Sequence, residues 1–472
     1  MCYIKWFPLI GLDPLMLQRK LDVVLDSVKR LMRMGATPNL VNLLQKQHPA
    51  DLAQLFSELP DKERQSAFTV LAERNPKLAM EALSELGPEA GAKLLADRSA
   101  EEIVKLTQEL PSDDAAALID YLPEELSAAV LELLQKRPAG GDVGDLLEYK
   151  ERTAGRIMNP KVFALSEDMT AGESITALQG SRDVEVVFYL YVIDARRHLV
   201  GVVSLRRLLL VSPDTPLKRI MTTDLISVRA DTDQEEVARL VASYNLLAIP
   251  VVDEENKLVG VITVDDVIDV IKDEATEDVY RLAGVAGDDR VFTKASESLR
   301  KRLPWLLVNL GTAFLAASVV ALFTKTIDAV VALAVFMPVV AGMGGNAATQ
   351  TLTVIVRGIA LGELTWSNTR QALFKEAAVG IGNGVACGLA GGIVVWLFNG
   401  DKMLAGILAM AMIINMFVAA TAGTLIPLLL RALKVDPALA SSVFITTLTD
   451  VFGFFSFLGL AKVFLKYLHQ SG

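Results

Sequence analysis

The run from Pro437 to Ala461 carries a single charged residue, Asp450, close to its middle. About 20 residues rising 1.5 Å each cross the hydrocarbon core of a bilayer, so this run is long enough to span a membrane as a helix. Asp450 then stands near mid-membrane, where an acid costs roughly 2.5 to 3.5 kcal/mol on insertion scales. It is expected to face a bundle interior or a water-filled path and to mark a route for a cation or proton. A structural Asp bonded to a neighbouring helix is the other reading of the same residue.

Four more long uncharged runs precede it: Leu303 to Thr324, Ala329 to Val356, Ala377 to Gly400 and Met403 to Leu430. Five spans are therefore expected. Counted from a cytoplasmic N-terminal part, the inner borders hold Arg300, Lys301, Arg302, Arg357, Arg370, Lys375, Arg431 and Lys434, and the outer borders Lys325, Lys402, Lys462 and Lys466. This excess of inner cations predicts a multi-pass protein of the cell (inner) membrane, with its C-terminus outside. Trp305 and Trp396 fall at run ends, as in an aromatic belt.

The chain is 52% hydrophobic yet 22% charged, with a net charge of -10, which divides it into a soluble and a membrane part. The acidic balance argues against a nucleic-acid partner. Cys2 and Cys387 make no disulfide framework, and His48, His198 and His469 make no zinc cluster. Met1 to Leu12 is apolar but short and lacks a basic n-region, so no signal peptide is expected.

From about Leu21 to Pro138 the sequence is rich in Leu and Ala at helical spacing. It is broken at Leu59-Pro60, Leu86-Gly87-Pro88, Leu110-Pro111 and Leu122-Pro123. Each break is followed by polar or acidic residues suited to a helix start, which predicts short helices stacked as a solenoid. Ala139-Gly140-Gly141 and Gly144 mark a linker.

The next segment repeats itself. Ile157-Met158-Asn159-Pro160 reappears as Ile220-Met221-Thr222-Thr223. Tyr191-Val192-Ile193-Asp194 with Leu199-Val200-Gly201-Val202-Val203 reappears as Pro250-Val251-Val252-Asp253 with Leu258-Val259-Gly260-Val261-Ile262. β-branched runs alternating with polar helices predict two β-α-β-β-α units packed as a pair. Over about Ile157 to Ile271 this resembles a tandem CBS (cystathionine-β-synthase) module. That resemblance implies an adenosine-nucleotide turn in the second half, where Gly260, Thr263 and Asp266 keep the pattern, whereas Arg207 replaces the acid in the first half. ATP at the CBS pair is one expectation, and a plain helix start at Thr263 is the other.

Between Asp231 and Asp278 the acids outnumber the bases fourteen to three. Asp265, Asp266, Asp269, Asp273, Glu274, Glu277 and Asp278 share helix faces and repel by a few tenths of a kcal/mol per pair. A divalent cation relieves such repulsion, and oxygen donors without His or Cys favour Mg²⁺ or Ca²⁺. A solvated acidic face is the alternative. The EF-hand pattern is lacking here. Asp273 to Arg302 reads as a connecting helix interrupted near Gly284 to Asp289.

The second span contains Pro338-Val339-Val340-Ala341-Gly342-Met343-Gly344-Gly345-Asn346-Ala347-Ala348-Thr349-Gln350. Small residues allow close helix approach, and Pro with Gly frees backbone carbonyls that only protein or a water-filled cavity can satisfy at depth. Asn383 and Asn415 add buried amides. Helix packing alone accounts for Gly380, Gly382, Gly384, Gly388, Gly391 and Gly392.

With Pro-x-x-x-Gly-x-Gly-Gly-Asn-x-x-x-Gln in the second span, and Asp-Pro-Ala-x-x-Ser followed by Thr-x-x-Asp leading into the fifth, nearly the whole chain resembles the MgtE family of magnesium transporters and channels. The implied architecture is a multidomain membrane protein. It comprises an all-α N-terminal superhelical domain (1–140), an α/β tandem CBS pair (155–272, halves about 157–217 and 218–272), a connecting helix (273–302) and a five-helix transmembrane domain (303–472). The resemblance implies a homodimer in membrane lipid with Mg²⁺ as substrate and regulator. Asp450 would be the pore ligand, with Thr446, Ser442 and Asn346 along the same path. Asp266, Asp269, Glu277, Asp278 and Asp436 match regulatory positions, as do Asp233 and Glu235. Two other classes compete: a proton-coupled solute transporter, which more often shows repeats among its spans, and a membrane-anchored CBS nucleotide sensor. No nucleophile–base constellation supports an enzyme.

Overall fold

The computed structural model describes residues 14–136, 141–181, 189–285, 289, 293–437 and 441–468. The apolar patch at Met1 to Leu12 and the linker residues Ala139 and Gly140 lie outside them. Two compact units, Met1–Val270 and Ile271–Gly472, are taken one at a time.

Among the described residues, the first part of this unit is helical: α1 (Pro14–Arg33), α2 (Thr37–Leu44), α3 (Pro49–Glu58), α4 (Asp61–Arg74), α5 (Pro76–Leu86), α6 (Pro88–Leu95), α7 (Ala100–Thr107), α8 (Ser112–Asp120), α9 (Glu124–Gln135) and α10 (Gly141–Glu148). The Pro-marked turns start helices as expected, with Pro at the first turn of α3, α5 and α6, where its missing N–H costs nothing. Helices this short are marginal alone and gain their stability by burying an apolar face. Here α3 rests on α5, α6 on α8, α7 on α9 and α8 on α10. Phe56 and Phe68 meet edge to face at the centre of the stack.

A single turn, α11 (Ala154–Ile157), leads into two matching halves. The first half is β1 (Ala164–Ser166), α12 (Ala171–Gly180), β2 (Tyr189–Ile193), β3 (Leu199–Ser204) and α13 (Leu205–Leu210). The second is β4 (Val228–Arg229), α14 (Gln234–Tyr244), β5 (Ala248–Val252), β6 (Leu258–Thr263) and α15 (Val264–Leu282). In each half the first strand is parallel and the third antiparallel to the middle one. The two sheets break register at corresponding places, Val192/Ile193 and Val251/Val252.

The halves exchange side chains at their repeated motifs. A Cβ on Gly260 would lie 2.4 Å from the Met158 sulfur, and one on Gly201 2.7 Å from the Met221 sulfur. Each half's opening Met thus fills the space above the other half's strand glycine. The neighbouring backbone is exchanged too: Asn159 pairs with Val261 and Thr222 with Val202, through reciprocal N–H to carbonyl bonds of 2.8 to 3.0 Å. The second half shares one hydrophobic core with the helical stack, while the first half keeps a core of its own.

α15 runs unbroken from the end of β6 to Leu282, so the expected connecting helix does not begin as a separate element. The expected interruption does occur. Gly284 turns the chain at φ +70°, a conformation L side chains avoid, under the Trp305 ring.

The second unit continues with α16 (Ala295–Ala321), α17 (Thr324–Ala329), α18 (Ala332–Ala360), α19 (Thr369–Asn399), α20 (Lys402–Ala432), α21 (Ser441–Val463) and α22 (Leu465–Leu468). Five of these helices, α16 and α18 to α21, are long and apolar enough to cross a membrane. α19 and α20 pack antiparallel through a glycine stripe. Cβ atoms at Gly380, Gly384, Gly388 and Gly392 would come within 2.7 to 3.1 Å of Ala420, Ile413, Ala409 and Ala405 in turn. Gly391 touches Met412 more loosely, while Gly382 meets nothing within 4 Å and has no part in the stripe. Small residues let membrane helices approach until dispersion contacts and interhelical bonds hold them.

Candidate functional site

Asp450 is the only acid in α21 and is half-buried in the isolated chain. No described side chain bonds to its carboxylate. The helix before it is lined with hydroxyls folded back on the backbone: Thr446 Oγ1 donates to the Ser442 carbonyl at 2.7 Å, and the buried Thr449 Oγ1 to the Thr446 carbonyl at 2.9 Å. Thr446 is exposed and Ser442 half-buried on the free chain. On α18, Asn346 and Gln350 are exposed one turn apart. The pore candidates therefore sit on surfaces that lipid would solvate poorly.

The Pro-Gly segment of α18 stays helical throughout. Gly344 owes its identity to a neighbour: the Asn415 amide of α20 lies so close that a Cβ there would be 2.1 Å from Nδ2. Asn415 Nδ2 donates to the Val340 carbonyl at 2.9 Å. A second polar join lies further along, where Thr351 Oγ1 donates to the buried Glu376 at 3.2 Å.

The acidic face of α15 carries Asp266 and Asp269 in its first turns and Glu277 and Asp278 towards its end. Burial pushes the Asp278 carboxyl up, and Glu274 and Glu277 add to it against the lowering effect of Arg281. Arg281 pairs with Glu277 and with Asp436, which lies in the segment between α20 and α21.

At the other end of α15 two acids appear that the charge run did not reveal. Asp113 and Asp114 occupy the first turn of α8, where they suit the helix dipole and so read as ordinary N-terminal acids. Folding brings them against α15. Burial raises the Asp113 carboxyl to about 8, with Asp266 and then Asp114 adding to the rise. Burial likewise raises Asp114, and Asp265 and Asp269 reinforce it. Asp266 is raised to about 6 by burial, although it accepts a 2.6 Å hydrogen bond from Thr263 Oγ1. The only sequence signal was a pair of adjacent acids at a helix start.

Thr263 and Asp266 thus satisfy one another at the start of α15, and both remain near the strand glycine of the CBS turn. Asp233 caps α14, its carboxylate accepting from the Glu235 N–H at 2.9 Å. Among the described residues no three acid, His or Cys side chains converge as a ready metal cage. The carboxylates face one another at Coulombic range instead, an arrangement suited to an ion that keeps its water shell.

These features define a multi-pass membrane protein: an acid-rich helical and α/β part in the chain's first unit, and five helices long and apolar enough to cross a membrane in its second. Residues 337–460 match the family model described as a divalent cation transporter, residues 47–152 that of the MgtE intracellular N domain, and residues 154–214 and 217–273 that of the CBS domain. The magnesium transporter MgtE of Thermus thermophilus is 39% identical over 329 residues, which are 69% of this chain and 73% of the relative. That of Bacillus subtilis is 38% identical over 324 residues, 68% and 72% of the two chains. Among solved structures, the cytosolic domain of the Mg²⁺ channel MgtE in complex with ATP is 38% identical and covers 52% of this chain and 99% of that one, with a TM-score of 0.48. The chain belongs to the MgtE family of magnesium transporters.

Proposed function

We propose that this protein carries Mg²⁺ across the cell membrane through a path formed by two copies of the chain, with Asp450 from each as the central ligand. The observation that carries this reading is the polar surface of the isolated membrane unit. Asn346, Gln350 and Thr446 are exposed on helices whose exposed apolar residues are Val and Phe, with Asp450 and Ser442 half-buried in the same helix as Thr446. In lipid such groups are costly, so they belong against a second copy or a water-filled path. Mg²⁺ gives up its waters reluctantly. One carboxylate per copy, with hydroxyl, amide and carbonyl oxygens, touches the hydrated ion weakly enough for it to leave.

Gating follows from the acids of the cytosolic part. At low Mg²⁺, Asp113 and Asp114 crowd Asp266 and Asp269, and burial with the neighbouring acids disfavours the ionised form of Asp113 and Asp114. Glu277 and Asp436 share Arg281 as a partner, with Asp278 beside them. Cytosolic Mg²⁺ bridging these carboxylates favours the closed state by binding it more tightly than the open one. Asp233 and Glu235 would add a weaker contact, and ATP would be held at Thr263 and Asp266 once their mutual bond opens. The C-terminus lies outside the cell in this arrangement.

The test is Mg²⁺ flux into liposomes holding the purified protein, wild type against Asp450→Ala, at low and high Mg²⁺ on the cytoplasmic face. Flux that depends on Asp450 and falls at high Mg²⁺ is expected. Flux indifferent to the substitution would return Asp450 to a structural role.

A further inference from the structure

Asn415 is wholly buried, at 0% exposure, in the middle of α20. Its Nδ2 donates to the Val340 carbonyl of α18, but its Oδ1 has no hydrogen-bond partner among the described residues. A buried acceptor left this way is costly, and an apolar side chain of the same size, such as Leu, would avoid that cost. Stability alone therefore does not explain an amide here.

Its surroundings do. A Cβ on Gly344 of α18 would lie 2.1 Å from Asn415 Nδ2, and one on Gly453 of α21 2.7 Å from it, with Oδ1 at 3.3 Å from both positions. The flat amide occupies a slot that exists only because the two facing residues are glycines. Gly453 comes one turn after Asp450, so the two share a side of α21. Gly344 comes two residues before Asn346. One side chain thus meets both helices that carry the proposed path residues.

We infer that Asn415 is a positioning residue of the transport path: its amide sets the separation of α18 and α21, and with it the place of Asp450 relative to Asn346. This rests on the transport reading above. The hydration shell makes the inference testable, because Mg²⁺ keeps a rigid octahedral shell of waters whereas Ca²⁺ takes about six to eight oxygens in a flexible one, so a change in helix spacing alters the two fluxes unequally. A residue that merely held the fold together would lower both fluxes in proportion.

The experiment measures Mg²⁺ and Ca²⁺ flux by full-length protein in liposomes for wild type, Asn415→Ala, Asn415→Ser and Gly453→Ala, and for Gly453→Ala combined with Asn415→Ala. Each Asn415 variant is expected to change the Mg²⁺:Ca²⁺ flux ratio by at least about threefold, as a shift in pore spacing would. Gly453→Ala is expected to cut Mg²⁺ flux by about tenfold or more, with partial recovery when the amide is removed as well. A ratio held at the wild-type value while both fluxes fall would overturn the inference, as would failure of every Asn415 variant to insert, which would assign the residue to folding. Absence of Mg²⁺ flux in wild type would instead remove the transport reading itself.

Discussion

The guanidinium of Arg281 pairs with the carboxylate of Asp436, joining the end of α15 to the segment that leads into the Asp450 helix. It also pairs with Glu277 one turn back. A tethered cation therefore occupies carboxylates assigned to the sensor, and Mg²⁺ must share or displace it. Arg281→Gln is expected to shift inhibition by cytosolic Mg²⁺ to concentrations about three- to tenfold lower, the scale of a partly screened ion pair. Titrating flux against cytoplasmic-side Mg²⁺ measures this. A shift to higher concentrations would mean that the arginine itself helps hold the closed state.

Asp450→Asn keeps the shape and oxygen of the side chain while removing its charge. If the charge draws the dication into the path, flux at low cytosolic Mg²⁺ drops by at least about tenfold. Asp450→Glu, longer by one methylene, retains part of the flux. Equal flux in the aspartate and asparagine forms would show that the charge is unnecessary.

The raised carboxyls of the cytosolic part predict a pH dependence whose sign is fixed. Asp113 titrates at about 8 and Asp266 at about 6 in the fold, against an ordinary 3.8. Between those limits the folded state holds more protons than the unfolded one, so Mg²⁺-free stability falls as pH rises. The Asp266 contribution is lost by about pH 6 and that of Asp113 by about pH 8. Mg²⁺ competes with the protons, and it should raise the unfolding temperature more at pH 8 than at pH 5. Asp113→Asn should flatten the fall above pH 6. Thermal unfolding of the detergent-purified protein in EDTA and in Mg²⁺ provides the comparison.

Gly260→Ala places a methyl group 2.4 Å from the Met158 sulfur, with the Met158 Cβ only 2.9 Å away, so rotating the far end of the methionine is not enough. Destabilisation of about 1–3 kcal/mol is expected, as for overpacked cores. Met158→Ala in the same chain should return most of it. Non-additive unfolding free energies for the pair would establish the exchange, and additive ones would exclude it.

Much of this was legible in the sequence because the signals were long or repeated. Span lengths, Pro-marked helix starts and the duplicated Leu-Val-Gly motif each answer to one physical rule, and the described residues include five membrane-length helices and two matching three-stranded sheets. The single span of α15 was harder to read. No residue from Val264 to Leu282 breaks a helix, and the boundary expected near Asp273 follows from where the CBS resemblance ends, not from backbone chemistry. Asp113 and Asp114 were illegible because their importance lies in what faces them across the fold, and a local charge count sees only a favourable helix start. Asn383 and Asn415 both read as buried amides; Asn383 is exposed on α19, whereas Asn415 is wholly buried. The two glycines that receive it lie on other helices, far off in sequence, and glycine by itself announces packing without naming the partner.

The crossed seating of Met158 on Gly260 and Met221 on Gly201 bears on how this region comes into being. Each half keeps its own strand surface incomplete and completes the other's. A half made alone would expose an empty notch above its central glycine and a methionine without its seat, so each half is more stable with the other in place. The pair should melt as one, and a lesion in either half should be felt equally in both.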